Sequence, residues 1–323
     1  MTFAYINNPQ FKDDNIEIKS TYNKWLQRQF GKRIPIHIFG SGSEGNSVYF
    51  KPYKTLIDLG LPFVRYNEYS PTFFLDVDYL ILTHHHGDHL NPSTLNRILN
   101  NYPHIRVILT EHMWNFITSD HYKPEYIKRD KGEYVPFGHD PIYKTDERGN
   151  RLRKPPKWKS LYEKHLSRFE FATPRMLTTH TKKEFLFNPL TLKHGDIINL
   201  AIEISDPELE FEFLYASDLD NLGGERTFVD HLGVTQRVTG LNQEKQYTCM
   251  FLEANYDEAI LQKWYDNLST DDPDYAGKKA RADGNLRHIS EQEASRYIEK
   301  HLVEGGLFIP LHASKTFGTL YQE

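Results

Sequence analysis

Thr83-His84-His85-His86-Gly87-Asp88-His89 is the stretch that decides how this chain is read. It follows the apolar run Tyr79-Leu80-Ile81-Leu82 and precedes Leu90-Asn91-Pro92. His84, His86, Asp88 and His89 are all metal-ligand types, and imidazoles together with a carboxylate suit zinc while tolerating manganese or iron. A tag-like histidine run would sit at a terminus and lack both the aspartate and the strand before it. Residues two apart at a strand end point the same way, so His84 and His86 can share one ion. The chain then turns at Gly87 and can present Asp88 and His89 to a second ion beside it.

The 323 residues suffice for a substantial core. With 39 basic against 44 acidic side chains and a net charge of −5, the chain is not a strongly basic nucleic-acid binder, so any such binding must use a local patch. The one cysteine, Cys249, excludes an intramolecular disulfide and lies in the apolar run Tyr247–Leu252, which marks it as a core thiol. No apolar run approaches the ~18–20 residues of a membrane span. Met1–Tyr5 shows no leader-like charged and apolar regions, and cytoplasm is the expected compartment.

Residues 1–33 read as an N-terminal extension, with a short helix at Thr21–Phe30, that packs on the core or on a partner subunit; a homodimer is compatible with it. Residues 34–323 read as one domain with an insertion at about 118–188. Ile34–Phe39 is a predicted strand running into Gly40–Ser47, either a plain tight turn of a hairpin or a loop bringing backbone N–H groups, with Ser43 and Asn46, towards substrate. Its spacing fits neither a Walker motif nor a dinucleotide fingerprint. Asp58 ends a strand within the stretch Thr55–Gly60 and is expected to orient a neighbouring ligand. Strands alternating with helices at Asn91–Asn100 and Met113–Ile117 indicate a layered α/β fold.

The insertion breaks that rhythm. From His121 to Phe185 there are 16 Lys/Arg against 9 Asp/Glu, an excess of 7 that leaves −12 for the rest of the chain. Its densest part, Arg151–Lys159, interleaves Arg153 and Lys157 with Trp158, a pattern that can hold phosphates and stack bases. It reads either as a solvated loop or as a substrate-facing lid. Regular structure is expected to resume at Leu190–Asp196, where His194 ends a strand. Later strands deliver Asp218, Glu253 and His312, and Ser290 with Glu293 forms a capping box for a helix at Glu291–Leu302. Asp58, His84, His86, His194, Asp218, Glu253 and His312 thus all sit at strand ends, where sites of open α/β sheets gather.

On these residues the chain resembles the metallo-β-lactamase superfamily over about residues 34–117 and 190–316, with the signature His84-x-His86-x-Asp88-His89 followed by a separate His, an Asp and a final His. The Ser41–Ser47 loop is similar to that of single-domain bacterial and phage members, a branch holding DNA 5′-exonucleases and phage phosphodiesterases that destroy cyclic-nucleotide signals. Arg287-His288-Ile289-Ser290 also resembles the His-Ser/Thr motif of ribonuclease Z. The resemblance implies a four-layer αββα sandwich. It implies one metal on His84, His86 and His194, a second on Asp88, His89 and His312, and Asp218 between them, with His180 as the alternative to His194.

Two divalent cations, zinc first and manganese next, held roughly 3.5–4 Å apart, lower the pKa of a shared water and clamp a phosphate. In that scheme Asp88 orients the nucleophile, His288 is the acid for the leaving alkoxide, and Glu253 holds its other nitrogen. His85 faces away and is not a ligand. The expected activity is phosphodiester hydrolysis at nucleic acid ends or in (cyclic) nucleotides. The alternative is hydrolysis of thioesters, lactones or β-lactams, which needs no acid such as His288. A metal-stabilised binding module without turnover is the non-enzymatic reading.

Overall fold

The computed structural model describes residues 36–42, 44–118, 162–230 and 233–319, with Phe116 in its backbone alone. Outside them it describes only the backbone of three short antiparallel pairs, Ile16–Glu17 with Arg33–Ile34, Tyr126–Asp130 with Glu133–Pro136, and Lys144–Thr145 with Arg151–Leu152. The helix expected at Thr21–Phe30 lies outside the described residues.

Two six-stranded sheets carry the fold. The first contains β1 (Ile36–Gly40), β2 (Ser47–Phe50), β3 (Thr55–Ile57), β4 (Tyr79–Ile81), β5 (Arg106–Leu109) and β6 (Phe169–Phe171). They lie in the order β6-β5-β4-β3-β2-β1, parallel from β6 to β3 and antiparallel from there to β1. Three helices accompany this sheet: α1 (Phe63–Tyr69), α2 (Pro92–Asn101) and α3 (Glu111–Thr118). The start of α2 follows from its sequence: Asn91 accepts the Thr94 amide, and Pro92 takes the first-turn position where no N–H is needed.

The second sheet contains β7 (Arg175–Thr178), β8 (Glu184–His194), β9 (Ile197–Asp206) and β10 (Phe211–Ala216). A separate hairpin follows, β11 (Arg226–Val229) with β12 (Thr235–Val238), before the sheet is completed by β13 (Tyr247–Glu253) and β14 (Leu302–Leu311). The order is β7-β8-β9-β10-β13-β14, antiparallel up to β10 and parallel beyond it. Helices α4 (Glu258–Asp266), α5 (Tyr275–Asn285) and α6 (Glu291–His301) link the last two strands. The predicted capping box of α6 is present, with Ser290 Oγ accepting the Glu293 amide and Glu293 accepting the Ser290 amide.

Period-two alternation sorts each strand into layers. Between the sheets, Phe50 and Ile57 of the first, with Tyr53 from the turn joining β2 to β3, meet Phe185, Phe213 and Phe251 of the second. Phe50 and Phe213 have ring centroids 4.7 Å apart, and Tyr53 and Phe185 4.8 Å. On the first sheet's outer face, Leu56, Leu80 and Val107 pack against Leu95, Ile98 and Met113 of α2 and α3. On the second sheet's outer face, Leu214, Met250 and Phe308 pack against Ala294, Tyr297 and Ile298 of α6. The layers therefore run helix, sheet, sheet, helix, which is the expected αββα sandwich. Cys249 is a buried core thiol whose pKa burial pushes up.

Two sequence expectations need correction. Regular structure resumes well before residue 188, because Phe169–Phe171 is an edge strand of the first sheet and Arg175–Thr178 with Glu184–His194 opens the second. Several cations counted in the basic insertion also serve the fold. Arg168 is buried and donates to the carbonyls of Leu99, Tyr102 and Ile105, Arg175 pairs with Glu170, and Lys183 pairs with Asp206.

Candidate metal centre

Strand direction decides where the site lies. β3, β4 and β5 are mutually parallel, so their C-terminal ends share one edge of the first sheet. In the second sheet β10, β13 and β14 run one way, and two antiparallel steps give β8 the same direction. Those ends deliver His194, Asp218, Glu253 and His312. Contacts between the sheets hold the two edges together. The Leu200 amide donates to Thr83 O at 3.2 Å, the His312 amide donates to Ser41 Oγ at 2.8 Å, and Tyr215 Oη donates to Asp58 at 3.3 Å.

The loop after β4 is fastened to the segment after β3. Leu59 N donates to His89 O and Asn91 N to Leu59 O, both at 2.8 Å. Gly60 lies directly under the motif: a Cβ there would stand 1.7 Å from the Asp88 carbonyl oxygen, so only glycine fits. Asp58, Asp218 and His312 have φ of 59°, 58° and 52°. This left-handed backbone turns the chain sharply at each strand end, an arrangement that recurs where side chains are aimed at a site.

Donor atoms of His84, His86 and His194 lie within 4.8 Å of one another. Four further donors surround a neighbouring point. His89 Nε2 is 2.7 Å from Asp218 Oδ2 and 3.7 Å from Asp88 Oδ2, and His312 Nε2 is 3.6 Å from Asp218 Oδ1 and 3.9 Å from Asp88 Oδ2. Asp218 stands between the groups, its Oδ1 also 4.0 Å from His194 Nε2. The first group is the expected set of His84, His86 and His194; around the second point the donors within 4.8 Å of one another are His84, His89 and Asp218, and Asp218, Glu253, His288 and His312, with Asp88 beside them. His85 belongs to neither group, and His180 is half exposed and pairs with Asp78 at 2.8 Å, away from the cluster.

The donor chemistry fits metal ions. His84 Nε2 is buried with no hydrogen-bond partner among the described residues. Burial, then the neighbouring His89 and His86, holds the His84 imidazole well below its ordinary pKa, and burial and His194 push His86 down to about 4. Neutral imidazoles are what a metal requires. Burial presses against charge at His89 and His312 too, but Asp218 and its companion carboxylates outweigh it, raising His89 and lifting His312 to about 9. Burial would raise Asp218, yet His312 and His89 hold its carboxyl well below the usual range. The point between these groups thus favours positive charge, and its N and O donors suit a divalent cation.

Supporting residues fix the ligands. Asp58 is fully buried; its carboxylate accepts from His89 Nδ1 at 2.7 Å and from the Thr83 amide at 2.8 Å, the orienting role expected of it. Thr83, which the sequence reading passed over, has Oγ1 3.1 Å from His84 Nδ1. Asn255, also missed, donates to the His312 carbonyl at 2.6 Å.

His288 is carried in by a short parallel bridge between Ser290 and Tyr256, and its Nδ1 lies 2.6 Å from Glu253 Oε1. Its ring is 4.7 Å from that of His312 and 5.3 Å from that of His194. Burial lowers its pKa, the Glu253 carboxylate more than offsets this, and the net shift is upward. Glu253 also lies 3.2 Å from His312 Nδ1 and accepts the Leu219 amide at 2.6 Å.

The residues expected to contact substrate fare differently. Asn46 is 2% exposed, and its amide is spent on Gly42 O, Asp88 Oδ2 and His89, so it holds the motif and does not face substrate. Ser43, Arg153, Lys157 and Trp158 lie outside the described residues.

The layers are what the resemblance implied: the chain has the metallo-β-lactamase fold. No family model matches the chain, and no curated protein matches it in sequence. Among solved structures it is similar to the metallo-beta-lactamase fold protein YhfI from Bacillus subtilis, at 12% identity and a TM-score of 0.44 over 86% of this chain and 85% of that one. It is similar to the short form of human tRNase Z at 11% identity and a TM-score of 0.45, over 87% of this chain and 96% of that one. A diphosphatase of the PhnP family is similar at 12% identity and a TM-score of 0.40, covering 88% and 87% of the two chains. Among the described residues no helix is long and apolar enough to cross a membrane.

Proposed function

We propose that this chain is a metal-dependent hydrolase that cleaves phosphodiester bonds, at nucleic acid ends or in nucleotides, cyclic ones included. The observation that carries this reading is His288, held by Glu253 at 2.6 Å and set between the rings of His194 and His312. An alkoxide leaving from phosphorus needs a proton, and a positioned imidazole of raised pKa supplies one. Thiolates leave without such help, so the dyad favours phosphate esters over the thioester alternative.

Two divalent cations bound by the ligand groups would polarise a phosphoryl oxygen and make water more acidic. The chain's own residues do the rest. Asp88 accepts a hydrogen bond from the attacking water and orients it. Glu253 holds Nδ1 of His288, leaving Nε2 to deliver a proton to the leaving oxygen. With Arg168, Arg175 and Lys183 set aside as cations of the fold, the 16 Lys/Arg between His121 and Phe185 fall to 16 − 3 = 13 against 9 Asp/Glu, and this smaller excess supports a polyanionic substrate. Zinc as the working metal, the cytoplasm as compartment and a homodimer as assembly belong to the same proposal.

The test uses purified protein, bis-p-nitrophenyl phosphate and added zinc or manganese. Turnover is expected, with loss in His86→Ala. Absence of turnover with any divalent metal would overturn the reading, and hydrolysis of a thioester without any of the phosphodiester would transfer the site to the alternative.

A further inference from the structure

Two of the ligand histidines are backed by a carboxylate on the nitrogen that faces away from the cluster. Asp58 stands 2.7 Å from His89 Nδ1, and Glu253 stands 3.2 Å from His312 Nδ1. His194 has a carboxylate in the same relation. Its Nε2 faces Asp218, while its Nδ1, buried and without a hydrogen-bond partner among the described residues, lies 3.6 Å from Asp220 Oδ1. That separation is about half an ångström beyond hydrogen-bond length. Asp220 is held by the chain on either side of His194: Gly195 N donates to Oδ1 at 2.8 Å, and Lys193 Nζ pairs with Oδ2. The turn that delivers Asp218 to the cluster thus brings Asp220 to the back of the ring.

We infer that Asp220 is the positioning carboxylate of His194, accepting Nδ1–H when Nε2 binds a cation. Coordination through Nε2 requires the proton on Nδ1, and a buried N–H without an acceptor is costly. A small rotation of the ring closes the gap to Asp220, fixing the tautomer and aiming Nε2 into the group formed with His84 and His86. The inference rests on the proposed reading of that group as a metal site, but not on the identity of the substrate. The competing account makes Asp220 only the ion-pair partner of Lys193.

Zinc titration of the full chain against a chromogenic chelator separates the two. Wild type is expected to bind two ions. Asp220→Asn, which keeps the shape and an acceptor for Gly195 N, is expected to weaken one of the sites about 10–100-fold and leave the other within about threefold. Asp196→Asn at the exposed neighbouring carboxylate is expected to leave both sites unchanged, and Lys193→Met, which removes one of the two groups holding Asp220 but leaves Gly195 N, is expected to cost clearly less than Asp220→Asn. Wild-type affinity in Asp220→Asn would overturn the inference, as would an equal loss in Lys193→Met. A wild-type protein that binds no zinc would instead overturn the metal reading itself, a result visible before any variant is made. Should Asp220→Asn fail to fold, zinc-loaded wild type carries the test. A protected low-field Nδ1 proton assigned to His194 by nitrogen correlation is expected, and an exchanging or absent one would overturn the inference.

Discussion

Glu253 Oε1 lies 2.6 Å from His288 Nδ1, and the same oxygen lies 3.2 Å from Nδ1 of His312. One buried carboxylate therefore addresses both the proposed acid and a candidate ligand. His288→Ala should reduce kcat on a phosphodiester about 100–10,000-fold while leaving zinc content at the wild-type value. Steady-state kinetics paired with metal analysis checks this. Glu253→Gln should lower both quantities, because it loosens His312 as well. Unchanged kcat in His288→Ala would remove the imidazole from the mechanism.

Asp58 is fully buried, and its carboxylate accepts from Thr83 and His89 and, at 3.3 Å, from Tyr215. In Asp58→Asn the His89 Nδ1–H loses a charged acceptor. Zinc affinity should fall about 10–100-fold, and the rise in Tm on adding zinc should shrink with it. Thermal unfolding with and without the metal measures both. An undiminished zinc-dependent rise would show that His89 needs no orienting carboxylate.

Gly60 tests the fastening of the motif loop. A methyl group there would stand 1.7 Å from the Asp88 carbonyl oxygen and 2.7 Å from the Asn46 nitrogen. Gly60→Ala should cost about 1–3 kcal/mol by denaturant unfolding and weaken metal binding at Asp88 and His89. Equal stability and equal affinity would mean that the loop re-forms elsewhere without loss.

Arg168 distinguishes a fold cation from a substrate cation. It is 7% exposed, and its guanidinium donates to the carbonyls of Leu99, Tyr102 and Ile105. Arg168→Met leaves those carbonyls short of donors and should cost on the order of 3 kcal/mol in a urea titration. The KM for a nucleotide substrate should stay at the wild-type value. A raised KM with unchanged stability would return Arg168 to the substrate-binding charges.

Much of the architecture was legible before any coordinates. Alternation marked the strands, Asn91 and Pro92 marked the start of α2, and Ser290 with Glu293 marked the start of α6. These are local signals, set by hydrogen bonds within a turn or two of chain. The strand-end rule found His84, His86, His194, Asp218 and His312 because a side chain after the last ladder residue is the one free to leave the sheet. Asn46 defied its reading because its burial depends on Asp88 and His89, 42 and 43 residues away. The boundary at residue 188 failed because Phe169–Phe171 is too short and too charged around its edges to announce a strand; its pairing with β5 makes it one.

Residue type and spacing alone thus determined a layered α/β fold, the histidine motif and the chemistry of its donors, since each is written in contiguous chain; the four-layer sandwich came from the resemblance those residues carry. Tertiary structure alone decided which distant groups stand behind those donors: Asp58 behind His89, Glu253 behind His288 and His312, Asp220 beside His194. It also decided the left-handed turns at Asp58, Asp218 and His312 that aim them. The reason is physical. A hydrogen bond is won or lost over half an ångström, and that distance is set by how two sheets pack, which no local stretch of sequence encodes.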